Sequence, residues 1–394
     1  MNKEPFLSFI VLSYNYDTYI RQCLDSILAQ TFQDFEIIVV DDCSTDSSVQ
    51  VITEYNDPRI RLICNQHNLG GPASYNLAID KARGEWFVNL DADDWIAPDK
   101  AEAQIALLEK HPELDIIGSW VYFVDSRGQA HPKDEELSRF ANCSHDFNRP
   151  ETWLGQNMLC RSSTMVRRTA HNLIGYADAG MVRAPDYELW TRALSLGCKF
   201  GLLERKLTYS RLHTGGVTHR DPMGTFLEMS YSIIRNLAPL ADRACLFEFQ
   251  LQILAWLANH EYIFDLTPQD SHKLASFFML LQTHHTYTSF KQDLFGPDLQ
   301  TGSRRIGGIG LFIGRNYIQP SLYDKLERDI EAYIEAREWW REQSNAYEEQ
   351  VNIQRAHLRR LYSPSKAAHR TSARFIRYIC RPLWSFIRSV VSRP

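Results

Sequence analysis

The chain has 394 residues, of which 44% are hydrophobic and 23% are charged, and its net charge is −5. These values are typical of a soluble protein with a buried core, and they exclude wholesale disorder, a collagen-like fibre and a small disulfide-stapled scaffold. No apolar run approaches the roughly 20 residues that span a bilayer, and the first five residues lack the basic and apolar regions of a signal peptide.

Short apolar runs alternate with helical patterns over the first 120 residues. The apolar runs are nearly continuous, as expected for strands that are buried on both faces of a sheet. The predicted strands are 6–12, 35–40, 59–64, 85–90 and 114–121. The predicted helices between them are 19–28, 46–55, one that begins near Gly71 and one at 98–110. This alternation predicts βαβ units, and therefore an α/β fold with a mostly parallel sheet flanked by helices.

The remainder of the chain changes character twice. Residues 125–222 are less regular and contain one clear helical pattern, at 186–196. Residues 223–320 are mostly helical in pattern and rich in Leu, Phe and Ile, and residues 321–394 begin with a long charged helical stretch. We therefore expect an α-helical C-terminal extension after the α/β region.

Polar residues follow each of the first four predicted strands. In an open parallel sheet, ligands bind beyond the carboxyl ends of the strands, so we expect these residues to converge on one edge. They are Ser13, Tyr14 and Asn15; Asp41 and Asp42; Asn68, Gly70 and Gly71; and Asp91, Asp93 and Asp94. The sequence has neither GxGxxG after the first strand nor a P-loop, which disfavours NAD enzymes and P-loop hydrolases.

Four motifs occur in order along this region. They are SYN at 13–15, SILAQT at 26–31, EIIVVDDCSTD at 36–46 and DADD at 91–94. Together they resemble glycosyltransferase family 2, over residues 6–220. The resemblance implies a GT-A fold and a nucleotide-diphosphate sugar as donor. It also implies a catalytic domain at 1–222. The patterns after it, not the resemblance, predict a helical region at 223–320 and, at 321–394, a long charged helix with a basic amphipathic tail.

The aspartates at 91–94 are the candidate metal site. A departing nucleoside diphosphate concentrates negative charge, which a hard divalent cation with oxygen ligands neutralises. The resemblance implies that Asp93 binds Mn²⁺ or Mg²⁺ and that Asp91 binds ribose or the metal. The aspartates could instead cap the following helix, since Asp favours helix N-termini. Because three carboxylates within four residues repel one another unless a cation is present, we favour the metal site.

The nucleotide is expected beside the residues that follow the first three strands. Asp42 resembles the family aspartate that hydrogen-bonds the base, and Leu12 and Tyr14 would flank the same ring. Tyr14 could otherwise be a packed aromatic with a satisfied hydroxyl. Asn68 and Gly70 resemble a segment whose backbone approaches the nucleotide, although glycine's permissive backbone is equally suited to an ordinary turn.

Asp186 is the candidate general base that takes the proton of the acceptor hydroxyl. The resemblance assigns this role, because the run from Asp186 to Trp190 (DYELW) matches the family pattern. Pro185 stands where the family usually has Glu, which leaves the contribution of that Glu in question. Asp186 could also simply cap the helix that it begins.

A second segment, YSRLHTGG at 209–216, resembles a family segment that closes over the diphosphate. It implies that Arg211 pairs with phosphate oxygens and that His213 is a third metal ligand. A lone His is as readily a structural residue. The sequence lacks the Gln-x-x-Arg-Trp motif of the family's processive synthases, which favours transfer of a single sugar.

The C-terminal tail is basic. From Gln350 to the end there are ten Lys and Arg residues and no Asp or Glu. Apolar residues between 375 and 391 fall on one helical stripe edged by arginines, as in helices that lie on an anionic membrane surface. The stripe could instead pack against the acidic body or in a homodimer. Positive charge confined to a tail argues against nucleic acid as a partner.

The sequence thus predicts an inverting, metal-dependent glycosyltransferase. It would move one sugar to a glycan or lipid-linked acceptor, in the synthesis of a cell-surface polysaccharide. The eight cysteines form no CxxC pair, which predicts reduced thiols and a cytoplasmic protein, peripheral on the inner face of the cell membrane. Two other classes stay open: a glycosyltransferase-like scaffold without catalysis, and a nucleotidyltransferase.

Overall fold

The computed structural model describes residues 4–212, 222–243, 252, 253, 256 and 286–289 of the chain. The tail predicted at 321–394 and the candidate ligand His213 lie outside these residues. Residues 4–212 form an eight-stranded sheet with helices packed against it. The predicted α/β class is therefore confirmed.

The first half of this region alternates strand and helix as predicted. Its elements are β1 (Leu7–Ser13), α1 (Ile20–Leu28), β2 (Phe35–Asp41), α2 (Ser48–Thr53), β3 (Ile60–Cys64), α3 (Gly71–Lys81) and β4 (Trp86–Asp91). Every residue of β2 is buried, which accounts for its apolar run Ile37–Val40 between the acids Glu36 and Asp41. α2 begins later than predicted because the Asp46 carboxylate accepts the backbone N–H of Ser48 at 2.9 Å and so closes the turn before the helix.

The second half combines predicted and unpredicted elements. They are β5 (Trp95–Ile96), α4 (Lys100–Lys110), β6 (Ile116–Val124), α5 (Asp134–Ala141), β7 (Met165–Arg167), α6 (Arg168–Ile174), α7 (Pro185–Ser195) and β8 (Phe200–Arg211). The sequence indicates α4, β6 and α7. Further helix follows as α8 (Pro222–Ser232), a π-helical turn (Ile233–Leu237) and α9 (Ala238–Arg243).

The strands are ordered β3-β2-β1-β4-β7-β6-β8-β5 across the sheet. β3, β2, β1 and β4 are parallel, as are β6 and β8, whereas β7 runs antiparallel to β4 and β6, and β5 runs antiparallel to β8. The sheet is therefore mixed. The antiparallel strands β5 and β7 have two and three residues, too few to produce a recognisable apolar run.

The parallel registers bring the ends of β1, β2 and β4 to one edge. Leu12 pairs with Asp91 across β1 and β4, and Ser13 pairs with Asp41 across β1 and β2. A core of buried apolar side chains on these strands and on α1 holds this edge in place. Among the described helices, none has the length and hydropathy needed to cross a membrane.

Candidate functional site

The acidic turn after β4 is fixed by hydrogen bonds from three directions. Within the turn, the N–H of Asp94 donates to the carbonyl of Asp91 at 3.0 Å. The N–H of Ala92 donates to the carbonyl of Leu12 at 3.3 Å. The buried carboxylate of Asp94 accepts the backbone N–H of Arg211 at 2.7 Å. Asp94 is thus a structural acid, whereas Asp91 and Asp93 are partly exposed.

The pKa values of Asp91 and Asp94 in this turn are both raised. Burial is the main cause of the raised pKa of Asp94, and the charges of Asp93 and Asp91 add to it. Burial also raises the pKa of Asp91, with a further contribution from Asp93, while Arg161 acts in the opposite direction. This mutual repulsion favours binding of a cation, since a positive charge relieves it.

Arg161 is a site residue that the sequence did not reveal. Its Nη1 donates to Oδ1 of Asp91, and its guanidinium lies 5.1 Å from the centroid of the Tyr75 ring. The Arg161 side chain is only 16% exposed, against 39% for Asp91, so the arginine lies beneath the aspartate. It belongs to a short 3₁₀ turn, Arg161–Ser163, within the irregular stretch, where no periodic pattern marks it.

Tyr16 is a second contact that the sequence did not reveal. Its hydroxyl hydrogen-bonds to Asp93, and burial, followed by the carboxylates of Asp93, Asp91 and Asp94, raises its pKa. Its backbone N–H donates to the Ser48 hydroxyl at 2.8 Å. The loop after β1 is thereby connected to the acidic turn after β4.

Arg211 stabilises the acidic turn through hydrogen bonds to Asp93 and Asp94. The side chain is buried, and its Nε donates to the carbonyl of Asp93 at 2.8 Å. Nη1 donates to the carbonyls of Asp125 and Ser126 at 3.1 and 2.9 Å, and Nη2 to Oε1 of Gln22 at 2.8 Å. Pairing of Arg211 with phosphate stays a prediction, and it would require some of these bonds to be exchanged.

Asp42 organises the loop that follows β3. Its carboxylate accepts the N–H groups of Leu69 and Gly70, both at 2.8 Å, and the side-chain amide of Asn65 at 2.7 Å. Gly70 has a φ of +85°, a conformation that favours glycine. Asp42 and Gly70 are therefore held together by a hydrogen bond. Contact of Asp42 with the nucleotide base stays a prediction.

The other predicted nucleotide contacts line the same edge. Tyr14 is 45% exposed, Asn68 is exposed, and Leu12 is half-buried at the end of β1. The adjacent Asn15 has a φ of +58°, and its Oδ1 accepts the N–H of Thr45 at 2.8 Å. The loops after β1 and β2 are thus joined, with the Tyr14 ring open to solvent.

Asp186 lies at the start of α7, within electrostatic reach of the acidic turn. Its Oδ2 accepts the side-chain amide of Asn157 at 2.7 Å, and Oδ1 accepts the N–H of Tyr187 at 2.9 Å. Burial raises the pKa of Asp186, as does Asp91, whereas the two hydrogen bonds and Arg161 lower it. The net effect is a raised pKa, which suits a carboxylate that accepts a proton.

Glu188, two residues further on, is in a different environment. It is buried, accepts a hydrogen bond from Nη2 of Arg192 at 2.9 Å, and lies 3.4 Å from the side-chain amide of Asn236. The contact with Asn236 connects α7 to the π-helical turn. Asp186 and Glu188 therefore occupy different faces of the helix, and Asp186 is on the face nearer to Asp91 and Arg161.

The described residues contain no preformed metal site with three ligands. Over residues 4–212 and the shorter described stretches after them, no three His, Cys, Asp or Glu side chains are grouped as metal ligands. The predicted ligand His213 lies outside these stretches. The oxygen donors of Asp91 and Asp93 nevertheless fit a hard cation, because Mg²⁺ is commonly held by one or two carboxylates with substrate phosphates.

The fold and the acidic edge define a GT-A type protein. Over 76% of this chain and 87% of the other, its fold matches Staphylococcus aureus TarS residues 1–349, solved in complex with UDP, with a TM-score of 0.50 and 20% identity. At this identity, the match bears on the fold.

Sequence comparison gives the family. The profile described as Glycosyl transferase family 2 matches residues 8–175. A glycosyltransferase of Methanocaldococcus jannaschii is 32% identical over 53% of this chain and 71% of its own length. The succinoglycan biosynthesis protein ExoO of Rhizobium meliloti is 30% identical over 50% of this chain and 58% of its own length. The chain belongs to glycosyltransferase family 2.

Proposed function

We propose that this glycosyltransferase transfers a single sugar from a nucleotide-diphosphate sugar to a glycan or lipid-linked acceptor, with inversion at the anomeric carbon. One observation carries the proposal. The charges of Arg161 and Asp91 both act on the pKa of Asp186, and Arg161 is also hydrogen-bonded to Asp91. The candidate base and the candidate donor-binding aspartate therefore both lie within electrostatic reach of Arg161, which supports their acting on one substrate.

The donor nucleotide would lie along the edge formed by β1, β2 and β4. The open ring of Tyr14 and the loop held by Asp42 are suited to a planar base, since aromatic faces stack on such rings. That TarS, which shares the fold, binds UDP supports a nucleotide at this edge. Asp91 would then bind the ribose or the metal.

The cation would be held by Asp93 together with Asp91. A divalent ion such as Mn²⁺ or Mg²⁺ would supply charge neutralisation to the departing diphosphate. Since Arg161 already pairs with Asp91, Asp93 would be the principal ligand. Tyr16, which hydrogen-bonds to Asp93, would fix the orientation of that carboxylate.

Asp186 would accept the proton of the acceptor hydroxyl. Asn157 and the N–H of Tyr187 hold its two oxygens, so the carboxylate is oriented before the acceptor binds. Attack by the activated hydroxyl on the face opposite to the diphosphate inverts the anomeric centre. General-base catalysis of this kind typically contributes about 10²–10⁴-fold.

The acceptor and the location are proposed from the name of a relative and from the charge of the tail. ExoO is named for succinoglycan biosynthesis, which supports a role in making a cell-surface polysaccharide. The basic tail after Gln350 would attach the enzyme to the anionic inner face of the cell membrane, where lipid-linked acceptors lie, as a peripheral cytoplasmic protein. A homodimer would form through the charged stretch at 321–361, for which the sequence pattern predicts a helix.

A donor screen tests the proposal. Purified protein is incubated with Mn²⁺ or Mg²⁺ and each of a set of UDP-, GDP- and dTDP-sugars, with lipid-linked sugars as acceptors, and release of nucleoside diphosphate is followed. We expect one donor to give metal-dependent release that the Asp186→Asn variant lacks. Release of pyrophosphate from a nucleoside triphosphate instead would indicate a nucleotidyltransferase. Tight donor binding without turnover for any acceptor would indicate a scaffold.

A further inference from the structure

Glu228, on α8, lies against the segment that precedes the candidate base. Its Oε1 accepts the backbone N–H of Val182 at 2.9 Å, and its Oε2 accepts those of Arg183 and Ala184 at 2.7 and 2.8 Å. The Glu228 side chain is fully buried, and Nη1 of Arg183 lies 3.7 Å from its Oε1. One carboxylate thus holds three successive N–H groups.

These three residues lead directly into α7. Ala184 is the residue that precedes the helix, Pro185 lies in the first turn, and Asp186 follows it. Because proline has a fixed φ and no N–H, the backbone at Ala184 sets the direction in which α7 starts. The position of Asp186 therefore depends on how residues 182–184 are held.

The free-energy cost of burying the Glu228 carboxylate is offset by hydrogen bonds to one segment, residues 182–184. The Glu228 side chain is fully buried, as are Phe226, Leu227 and Tyr231, its neighbours along α8. A buried carboxylate is costly unless it is hydrogen-bonded and paired. Hydrogen bonds from N–H groups to a charged acceptor are stronger than neutral ones, and all three go to the segment before Asp186.

We infer that Glu228 is a positioning residue, which holds Asp186 where it can accept the proton of the acceptor hydroxyl. The inference rests on the proposed function, since it takes Asp186 as the general base. It also extends the catalytic machinery to α8, which lies outside residues 8–175 matched by the family profile and beyond the boundary predicted at residue 222.

The test is Glu228→Gln, which keeps the side chain's size but replaces one acceptor oxygen by an NH₂ group. Displacement of a reacting group by about 1 Å can cost on the order of 10²-fold, so we expect kcat for transfer to fall about 10- to 100-fold. The KM and Kd for the donor should not change, because Asp91 and Asp93 lie on another loop. Rates are normalised to folded protein.

Glu36→Gln is the matched control. Glu36 is also a buried carboxylate, and it accepts the N–H of Arg83 at 2.6 Å, the guanidinium Nε of Arg83 at 2.9 Å and the Ser8 hydroxyl at 2.8 Å. It lies at the start of β2, whereas the site lies beyond the end of that strand. We expect this variant to lose stability while its kcat per folded molecule stays at the parent value.

Glu228→Asp provides the second variant should the glutamine variant fail to fold. It keeps the charge but shortens the reach by one methylene, so we expect a kcat between those of the parent and Glu228→Gln. A parental kcat in a folded Glu228→Gln or Glu228→Asp protein, or equal losses in the Glu228 and Glu36 variants, would overturn the inference. Asp186→Asn is assayed alongside: if it retains full activity, the proposed base is wrong, irrespective of Glu228.

Discussion

Arg161 donates a hydrogen bond to Asp91, and its charge also lowers the pKa of Asp186. These two carboxylates lie on different segments, the turn after β4 and the first turn of α7. The Arg161 guanidinium therefore interacts electrostatically with both the candidate donor site and the candidate base. Burial raises the pKa of both carboxylates, and the charge of Arg161 lowers the pKa of each.

Arg161→Gln tests this relationship through the pH dependence of transfer. Asp186 must be deprotonated to act as a base, so the rate rises with pH through its pKa. Burial raises that pKa; the hydrogen bonds from Asn157 and the N–H of Tyr187, and the charge of Arg161, lower it, and Asp91 adds to the increase. Loss of Arg161 should raise it further, and the acidic limb of the kcat profile should move to higher pH.

The control for this profile is Arg168→Gln. Arg168 donates to the carbonyl of Gly84, with its Nε at 2.8 Å, and it contacts the Phe87 ring, with the guanidinium carbon 4.8 Å from the ring centroid. The pH profile of kcat for the Arg168→Gln variant should match that of the parent. An acidic limb that stays in place in Arg161→Gln would show that Asp186 does not titrate as the base.

Asp93→Asn should abolish metal-assisted transfer while the fold persists. The substitution keeps the side chain's size but removes the charge that would hold the cation. Titration of Mn²⁺ or Mg²⁺ against donor binding is the measurement, and the apparent metal affinity should fall strongly. Asp99→Asn, which removes a half-exposed acid paired with Arg205, should titrate like the parent. Unchanged metal dependence in Asp93→Asn would contradict the assignment of Asp93 as a metal ligand.

Asp186→Asn should leave donor binding nearly intact and lower the transfer rate by about 10²–10⁴-fold. The donor Kd and the single-turnover rate are measured on the same preparation. Glu188→Gln is the comparison, because Glu188 pairs with Arg192 away from the acidic turn; it should be less stable yet active. The opposite pattern, with Glu188→Gln inactive and Asp186→Asn active, would transfer the role to Glu188.

Arg211→Lys separates a structural role from a role in phosphate binding. Lysine cannot reproduce the bonds to Asp93, Asp125, Ser126 and Gln22. Since hydrogen bonds from charged groups are worth about 1.5–3 kcal/mol each, we expect a loss of at least that size in the free energy of unfolding without donor, measured in urea. A variant of parental stability with weakened diphosphate binding would instead favour the phosphate role.

The basic tail is tested by flotation of the full-length chain with liposomes. Replacing Arg374, Arg377, Arg381 and Arg388 by Gln should abolish binding to anionic vesicles, since each basic residue near such a surface contributes about 1 kcal/mol. Donor turnover in solution should persist, because residues 6–220 carry the predicted site. High salt should release the parent chain. Failure of the parent chain to float with anionic vesicles would assign the tail to packing or dimerisation.

Much of the fold could be predicted because its signals are local. The strands β1, β2 and β4 are buried on both faces and so appear in the sequence as mostly apolar runs. The helices between the strands have their own periodicity. By contrast, β5 and β7 are short, and their place in the sheet depends on partners elsewhere in the chain. No local pattern distinguishes such strands from loops.

The sequence alone determined the α/β class and the family, and it singled out Asp91, Asp93 and Asp186 as candidate site residues through motifs that are contiguous in the chain. Only the tertiary structure decided which other residues hold them. Arg161 is 70 residues from Asp91, Asn157 is 29 from Asp186, and Glu228 is 44 from Ala184. Each of these hydrogen bonds depends on where distant backbone segments meet after the core has packed, and neither periodicity nor motif spacing encodes that.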